Sequence, residues 1–286
     1  MRKALLLAST ALLSWTTMTS AHNPPGEMFF AVQFPDDAVP EIDGNLSDWD
    51  VVPVNPYTIA NEHIYSPVFP PVGRGQLDGS GSDIQIRHLV GWNERFNKLY
   101  FMSEIFDNVH NVDRDDLSSF WTDDAWEVEV NAKHVAPDQQ NLAGEPANNF
   151  SYMWVVPPLD GSYQFYRPFR SLDWLVDGTD WVEFGWDFSG EQFGESTYCY
   201  ELAVTPIESL RPSGDVTAEE AVVHDLVENE TIHLSITVGD FDEPCTNCEL
   251  TSYQGFWTMT PWGCCSASND FVLAEIEPAL VVPVAS

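Results

Sequence analysis

Lys98-Leu99-Tyr100-Phe101-Met102-Ser103-Glu104-Ile105-Phe106 alternates, with Leu99, Phe101 and Ile105 on one side and Tyr100, Met102, Glu104 and Phe106 on the other. A period of two belongs to the β-strand, whose successive side chains point to opposite faces. The pattern recurs on either side of this stretch. Upstream, Ile84, Ile86, His88 and Val90 share a face. Downstream, Trp126, Val128 and Val130 oppose Glu127 and Glu129, and the sets Tyr198, Tyr200, Leu202, Val204 and Ile232, Leu234, Ile236, Val238 follow. Further strands are expected over 28–34, 150–156, 181–188 and 269–276. Helical periodicity is confined to a turn at 207–210 and a short run at 218–227, neither long enough for a crossover between parallel strands. One apolar and one polar face per strand is the mark of antiparallel sheets packed on a single side, so the expected fold is an all-β, antiparallel two-sheet β-sandwich.

The connections are long and rich in Pro, Gly, Asn and Asp: 53–82, 134–149, 157–179 and 240–268. Such loops in a compact domain usually carry binding surfaces. Met1-Arg2-Lys3, an apolar run from Ala4 to Trp15 and the small residues Thr19-Ser20-Ala21 read as a signal peptide over 1–21. That leaves one domain over 22–286, exported to the periplasm, cell surface or medium. The apolar run is too short to span a bilayer, and no later stretch replaces it.

Forty-five Asp and Glu face eleven Lys and Arg, two of which lie in the signal segment. A surface so acidic repels phosphate backbones and anionic lipids, which excludes nucleic acid as a partner. It serves solubility in a salty medium, or it binds hard cations through clustered carboxylates. Five cysteines remain after the signal segment. Cys245, Cys248, Cys264 and Cys265 cluster, and export favours disulfides between the first pair and the second, against a four-thiolate zinc site of poor spacing. Cys199, in a strand-like run, is expected as a buried free thiol.

The order of motifs resembles carbohydrate-binding module family nine. Ile42-Asp43-Gly44-Asn45-Leu46-Ser47-Asp48-Trp49 is similar to the family's opening. Val90-Gly91-Trp92-Asn93 with Leu99-Tyr100-Phe101 and Asp107, then Asp123-Asp124-Ala125-Trp126-Glu127-Val128, resemble its next strands. Tyr200 to Pro206, Ile236 to Asp242 and Asn269 to Ile276 resemble its later ones. The resemblance runs over 29–277 and implies a jelly-roll β-sandwich that binds polysaccharide or oligosaccharide between aromatic rings and holds Ca²⁺ as a structural ion. The wider superfamily also includes haem-binding dehydrogenase-subunit and DOMON-like domains.

Sugars offer apolar C–H faces ringed by hydroxyls, so flat rings grip them and carboxylates or amides orient them. Trp257, Trp262, Trp121 and Trp174 lie in expected loops, with Tyr65 and Tyr253 as further platforms, each either a stacking ring or a buried anchor. Trp257 and Trp262 rank first, because they flank the cysteine cluster. For Ca²⁺, which takes six to eight oxygens, the densest candidates are Asp107, Asp113, Asp123 and Asp124, with Asn108, Asp115 and Asp116 nearby; a solvated acidic loop is the alternative. His88, on an apolar face, is expected as a core histidine. His22 would become the amino terminus, where a second histidine could complete a copper site. Under the haem b alternative, Met with Lys98, Lys133 or His would supply axial ligands. No catalytic signature is present: neither a Gly-x-Ser-x-Gly elbow, a His-Glu-x-x-His helix nor a phosphate loop occurs.

Overall fold

The computed structural model describes residues 27–65, 82–112, 123–132, 150–155, 164–166, 180–209, 218–242, 255–259, 268–278 and 280. Fourteen strands are defined there: β1 (Phe29–Gln33), β2 (Ile59–Ala60), β3 (Ile84–Asn93), β4 (Lys98–Asp107), β5 (Ala125–Asn131), β6 (Phe150–Val155), β7 (Gln164–Tyr166), β8 (Val182–Gly190), β9 (Ser196–Val204), β10 (Ile207–Ser209), β11 (Val222–Val223), β12 (Thr231–Asp240), β13 (Gly255–Thr258) and β14 (Asn269–Ile276). Helical pieces among the described residues are six residues or shorter, and none is long and apolar enough to cross a membrane.

One sheet runs β7-β6-β5-β12-β14-β1-β3-β4-β9-β8, with β2 added beside β3 and β13 beside β12; β10 and β11 pair separately. The sheet curls until its halves face each other. Trp126 on β5 stacks on Tyr200 of β9 at 5.1 Å and 4°, and its Nε1 donates to Ser103 Oγ on β4 at 2.8 Å. Those strands are remote in the sheet, so the contact runs across the layer between the two halves. The alternating apolar sets of β3, β4, β5, β9 and β12 fill that layer as one core. Tyr200 stacks in turn on Tyr198, at 5.9 Å. His88 lies fully buried there, with Nδ1 2.6 Å from Ser103 Oγ, as expected of a core histidine.

Three expectations are corrected. The sheet is mixed, because β1 runs parallel to both β14 and β3. A short N-terminal strand can insert between two existing edges in either direction, and alternation does not reveal which. The helical turn expected at 207–210 is β10, hydrogen-bonded to β11, so pairing outweighed the local pattern. Cys199 is half-buried on the outer face of β9, since it alternates with the core residues Tyr198 and Tyr200.

The face of β4 that carries Tyr100 and Met102 is not open to water. Residues 34–57 strap across it, and Phe34, Leu46, Trp49, Val52 and Tyr57 build a second core against Tyr100, Met102 and Ala203. Glu201 anchors the strap. One carboxylate oxygen accepts from the Trp49 indole at 2.8 Å, and the other from the backbone N–H groups of Gly44 at 2.8 Å and Asp43 at 3.1 Å. Burial raises the Glu201 pKa, and these three donors pull it back down. Gly44 sits at φ +87°, and a Cβ there would lie 2.3 Å from the Trp186 carbonyl carbon. The Asp-Gly…Trp opening is thus a docking device for the strap.

Candidate functional site

At one end of the sandwich, the last residue of β4, the residues before β5, the end of β12 and the start of β9 converge. They bring together Asp107, Asp124, Asp240 and Tyr198, all buried, with His110 from the segment that leaves β4. Asp107 Oδ1 accepts from the Val109 N–H at 2.8 Å. Asp124 Oδ1 accepts from the Phe241 N–H at 2.8 Å, and its Oδ2 from the Asn111 N–H at 2.5 Å. The Tyr198 hydroxyl lies 3.0 Å from Asp107 Oδ2 and 3.2 Å from Asp124 Oδ2. His110 Nδ1 contacts the same hydroxyl and lies 3.4 Å from Asp124 Oδ2. The β8–β9 turn holds the segment in place, with His110 N–H donating to Gly194 O at 3.0 Å and Phe193 N–H to His110 O at 2.6 Å.

Two sets of ligand atoms lie within 4.8 Å of one another, Asp107 with Asp240 and Asp242, and Asp107 with His110 and Asp124. Burial raises the Asp124 pKa well above the carboxylate range, and the charges of Asp107 and Asp240 add to this against the pull of two N–H donors. Burial also raises Asp107 and lowers His110 to about 4, so its imidazole is neutral. Buried like charges at this spacing are stable only with protons or a cation among them. The set Asp107, Asp240, Asp242 offers hard oxygens alone, which fits a calcium ion.

The sequence candidates divide accordingly. Asp107 and Asp124 meet in the cluster; Asp123 is buried beside Asp124 in sequence but belongs to neither set. Asp113 lies outside the described residues, with Asp115 and Asp116. Asp240, Asp242, His110 and Tyr198 are missed by a search for one run of acidic residues, because they come from three separate segments. The acidic end of β12, Gly239-Asp240-Phe241-Asp242, was the available signal.

A second polar surface covers the outer face of the other half-sheet. Glu127, Glu129 and Asn131 of β5 stand opposite Thr237, Ser235 and His233 of β12, and His233 stands opposite Asp270 of β14. All seven are buried, and His233 Nε2 lies 2.8 Å from Asp270 Oδ1. Glu127 makes no hydrogen bond or ion pair among the described residues. Its pKa is pushed up to about 8, by burial first and then by the charge of Glu129.

The fold resembles that of carbohydrate-binding module family nine. The module of that family from Caldicellulosiruptor kristjanssonii, in complex with glucose, matches 88% of this chain and 98% of its own at 11% identity and TM-score 0.45. A putative carbohydrate-binding protein from Bacteroides uniformis matches 86% and 99%, at 11% identity and TM-score 0.48. The cytochrome domain of Myriococcum thermophilum cellobiose dehydrogenase matches 67% and 83%, at 11% identity and TM-score 0.25. No protein-family model matches the chain, and no curated protein does.

Of the tryptophans, Trp257 is in β13 rather than in a loop, as the register partner of Val238. Trp262, Trp121 and Trp174 lie outside the described residues, as do Cys245, Cys248, Cys264, Cys265, His22 and Lys133. Tyr65 forms a bridge with Thr258 and donates its hydroxyl to Glu27 at 2.8 Å. Lys98, a haem-ligand candidate, pairs with Glu183. Gln85, Arg87, Glu104, Phe106 and Thr197 line a cleft of about 220 Å³ on the opposite outer face, too small to bury a sugar chain.

Proposed function

We propose that the chain is an exported, non-catalytic glycan-binding domain of jelly-roll type, whose sugar site is the buried polar face of β5 and β12 and whose structural ion is calcium. The observation that carries this reading is Glu127. A carboxyl group nearly withdrawn from water, which burial keeps mainly protonated at neutral pH and which has no hydrogen-bonding partner among the described residues, is costly in an isolated protein. It becomes an asset once sugar hydroxyls arrive that accept its proton and donate to its carbonyl oxygen. Thr237, Ser235 and Asn131 flank it with groups that accept and donate, the mixture a sugar edge requires. Trp121 lies four residues before β5 in the chain, and β13, with Trp257, borders β12. These rings and Trp262 are the proposed stacking surfaces, with Trp174 the more distant candidate in sequence. The ordered motifs that resemble family nine agree with a sugar ligand.

Calcium is proposed at Asp107, Asp240 and Asp242, tying the end of β4 to the end of β12. Affinity electrophoresis in gels containing neutral polysaccharides tests the sugar site. Retardation of the unaltered chain, reduced at least tenfold in affinity by Glu127→Gln and by Trp262→Ala with folding intact, is the expected result. Equal retardation of the Glu127→Gln protein would remove the site assignment. Sensitised Tb³⁺ emission, displaced by Ca²⁺ and lost in Asp242→Asn, is expected for the cation site; no emission would overturn that part.

A further inference from the structure

We propose that Asp107, Asp124, His110 and Tyr198 form a second cation centre, selective for a small borderline divalent ion of the Zn²⁺ class and adjoining the oxygen-only calcium position through the shared Asp107. Calcium rarely takes nitrogen, whereas imidazole with carboxylates is an ordinary ligand set for zinc and its first-row neighbours. His110 supplies the nitrogen under constraint. Its side chain is 0% exposed, its Nδ1 is aimed at the Asp124 carboxylate and the Tyr198 hydroxyl, and its Nε2 meets no hydrogen-bonding partner among the described residues. The ring is wedged against Phe188 at 4.9 Å and Tyr198 at 5.1 Å, so it cannot turn away.

Three of the spacings match a coordination shell, and the closer contact of His110 Nδ1 with the Tyr198 hydroxyl opens when an ion enters. Asp107 Oδ2 and Asp124 Oδ2 lie 3.0 and 3.2 Å from the Tyr198 oxygen, and His110 Nδ1 lies 3.4 Å from Asp124 Oδ2. Bonds of about 2.0–2.2 Å to one ion separate neighbouring ligands by about 2.8–3.6 Å, depending on tetrahedral or octahedral angles. Asp107 Oδ1 is held by the Val109 N–H, and Asp124 is held through Oδ1 by the Phe241 N–H and through Oδ2 by the Asn111 N–H at 2.5 Å, which fixes where both carboxylates stand. Two carboxylates and a neutral imidazole carry the charge that one divalent ion cancels.

The test uses the full mature chain, stripped of metal and then saturated with Ca²⁺. Zn²⁺ titration by calorimetry is expected to show one tight equivalent that His110→Gln weakens at least 100-fold, while Tb³⁺ binding at the calcium position changes less than threefold. Asp242→Asn is expected to do the reverse. Should His110→Gln fail to fold, Co²⁺ added to the unaltered chain serves instead. An intense visible band displaced by Zn²⁺ but not by Ca²⁺ supports a nitrogen-bearing site of low coordination number. Absence of Zn²⁺ uptake, undiminished uptake in folded His110→Gln, or only the weak Co²⁺ band of an all-oxygen site would overturn the proposal. Zn²⁺ uptake without Tb³⁺ or Ca²⁺ binding would overturn the calcium reading and leave this one standing.

Discussion

His88 and Glu127 are buried ionisable residues that pull stability in opposite directions as pH changes. Burial lowers the His88 pKa to about 3, below its unfolded value of about 6.5. Its contribution is therefore complete above pH about 6.5 and is lost as pH falls from there towards 3. His88→Gln, which stays neutral, should flatten the decline in stability between pH 6.5 and 4, read from urea midpoints across that range. An unchanged acid slope would show that His88 does not charge on unfolding. Glu127 is raised to about 8, so the stability tied to its protonated form is present below its unfolded value of about 4.3 and lost as pH rises through 8. Glu127→Gln should remove the loss between pH about 4.3 and 8, and an identical slope over that window in the variant would contradict the assignment. The sequence placed Glu127 and Glu129 on one face correctly. It could not show that the face is covered, since alternation sorts side chains between two faces without saying what lies over either.

Among the strands, β4 was legible because its alternation is long and uninterrupted, and β3, β5, β9 and β12 were legible for the same reason. Only the covering of its second face by the strap was hidden, because Tyr100 and Met102 read equally well as scattered surface apolar residues. The strap depends on Glu201, which receives three donors on a fully buried carboxylate. Glu201→Ala should destabilise the fold by about 3–5 kcal/mol, because it strands the Trp49 indole and two backbone N–H groups and opens a cavity. Glu201→Gln keeps an acceptor for one of them and should cost less. Thermal unfolding of both variants checks the order; a Glu201→Ala protein within about 0.5 kcal/mol of the unaltered chain would show that the strap is held by its apolar contacts alone. The parallel insertion of β1 and the pairing of β10 with β11 were not legible, since both are decided by distant partners. The cation cluster was half legible. Asp107 and Asp124 lie within one acidic stretch, whereas His110, Tyr198, Asp240 and Asp242 join them only through the curl of the sheet.

The whole chain carries a formal charge of −34 over 286 residues. Self-repulsion of this size opposes the compact state and is relieved by screening, with a Debye length of about 30 Å at 0.01 M salt and about 3 Å at 1 M. The melting temperature should therefore rise with NaCl between 0.01 and 1 M, beyond the rise that added Ca²⁺ alone produces at low salt. A melting temperature independent of NaCl would place the charges too far apart to matter. The same charge favours a neutral glycan as the proposed ligand, because uronate or sulfate chains would approach against the field of the protein.

The proposed sugar site on the outer face of β5 and β12 would join the buried carboxyl group, the curled sheet and the acidic surface in one function. Hydrogen–deuterium exchange of the unaltered chain, with and without a neutral oligosaccharide at saturation, reads that face directly. Added protection is expected in Ala125–Asn131 and Thr231–Asp240, with none in Ile84–Asn93. Protection confined to the β3 and β4 side, or binding that leaves β5 and β12 unchanged, would place the sugar elsewhere and defeat the proposal.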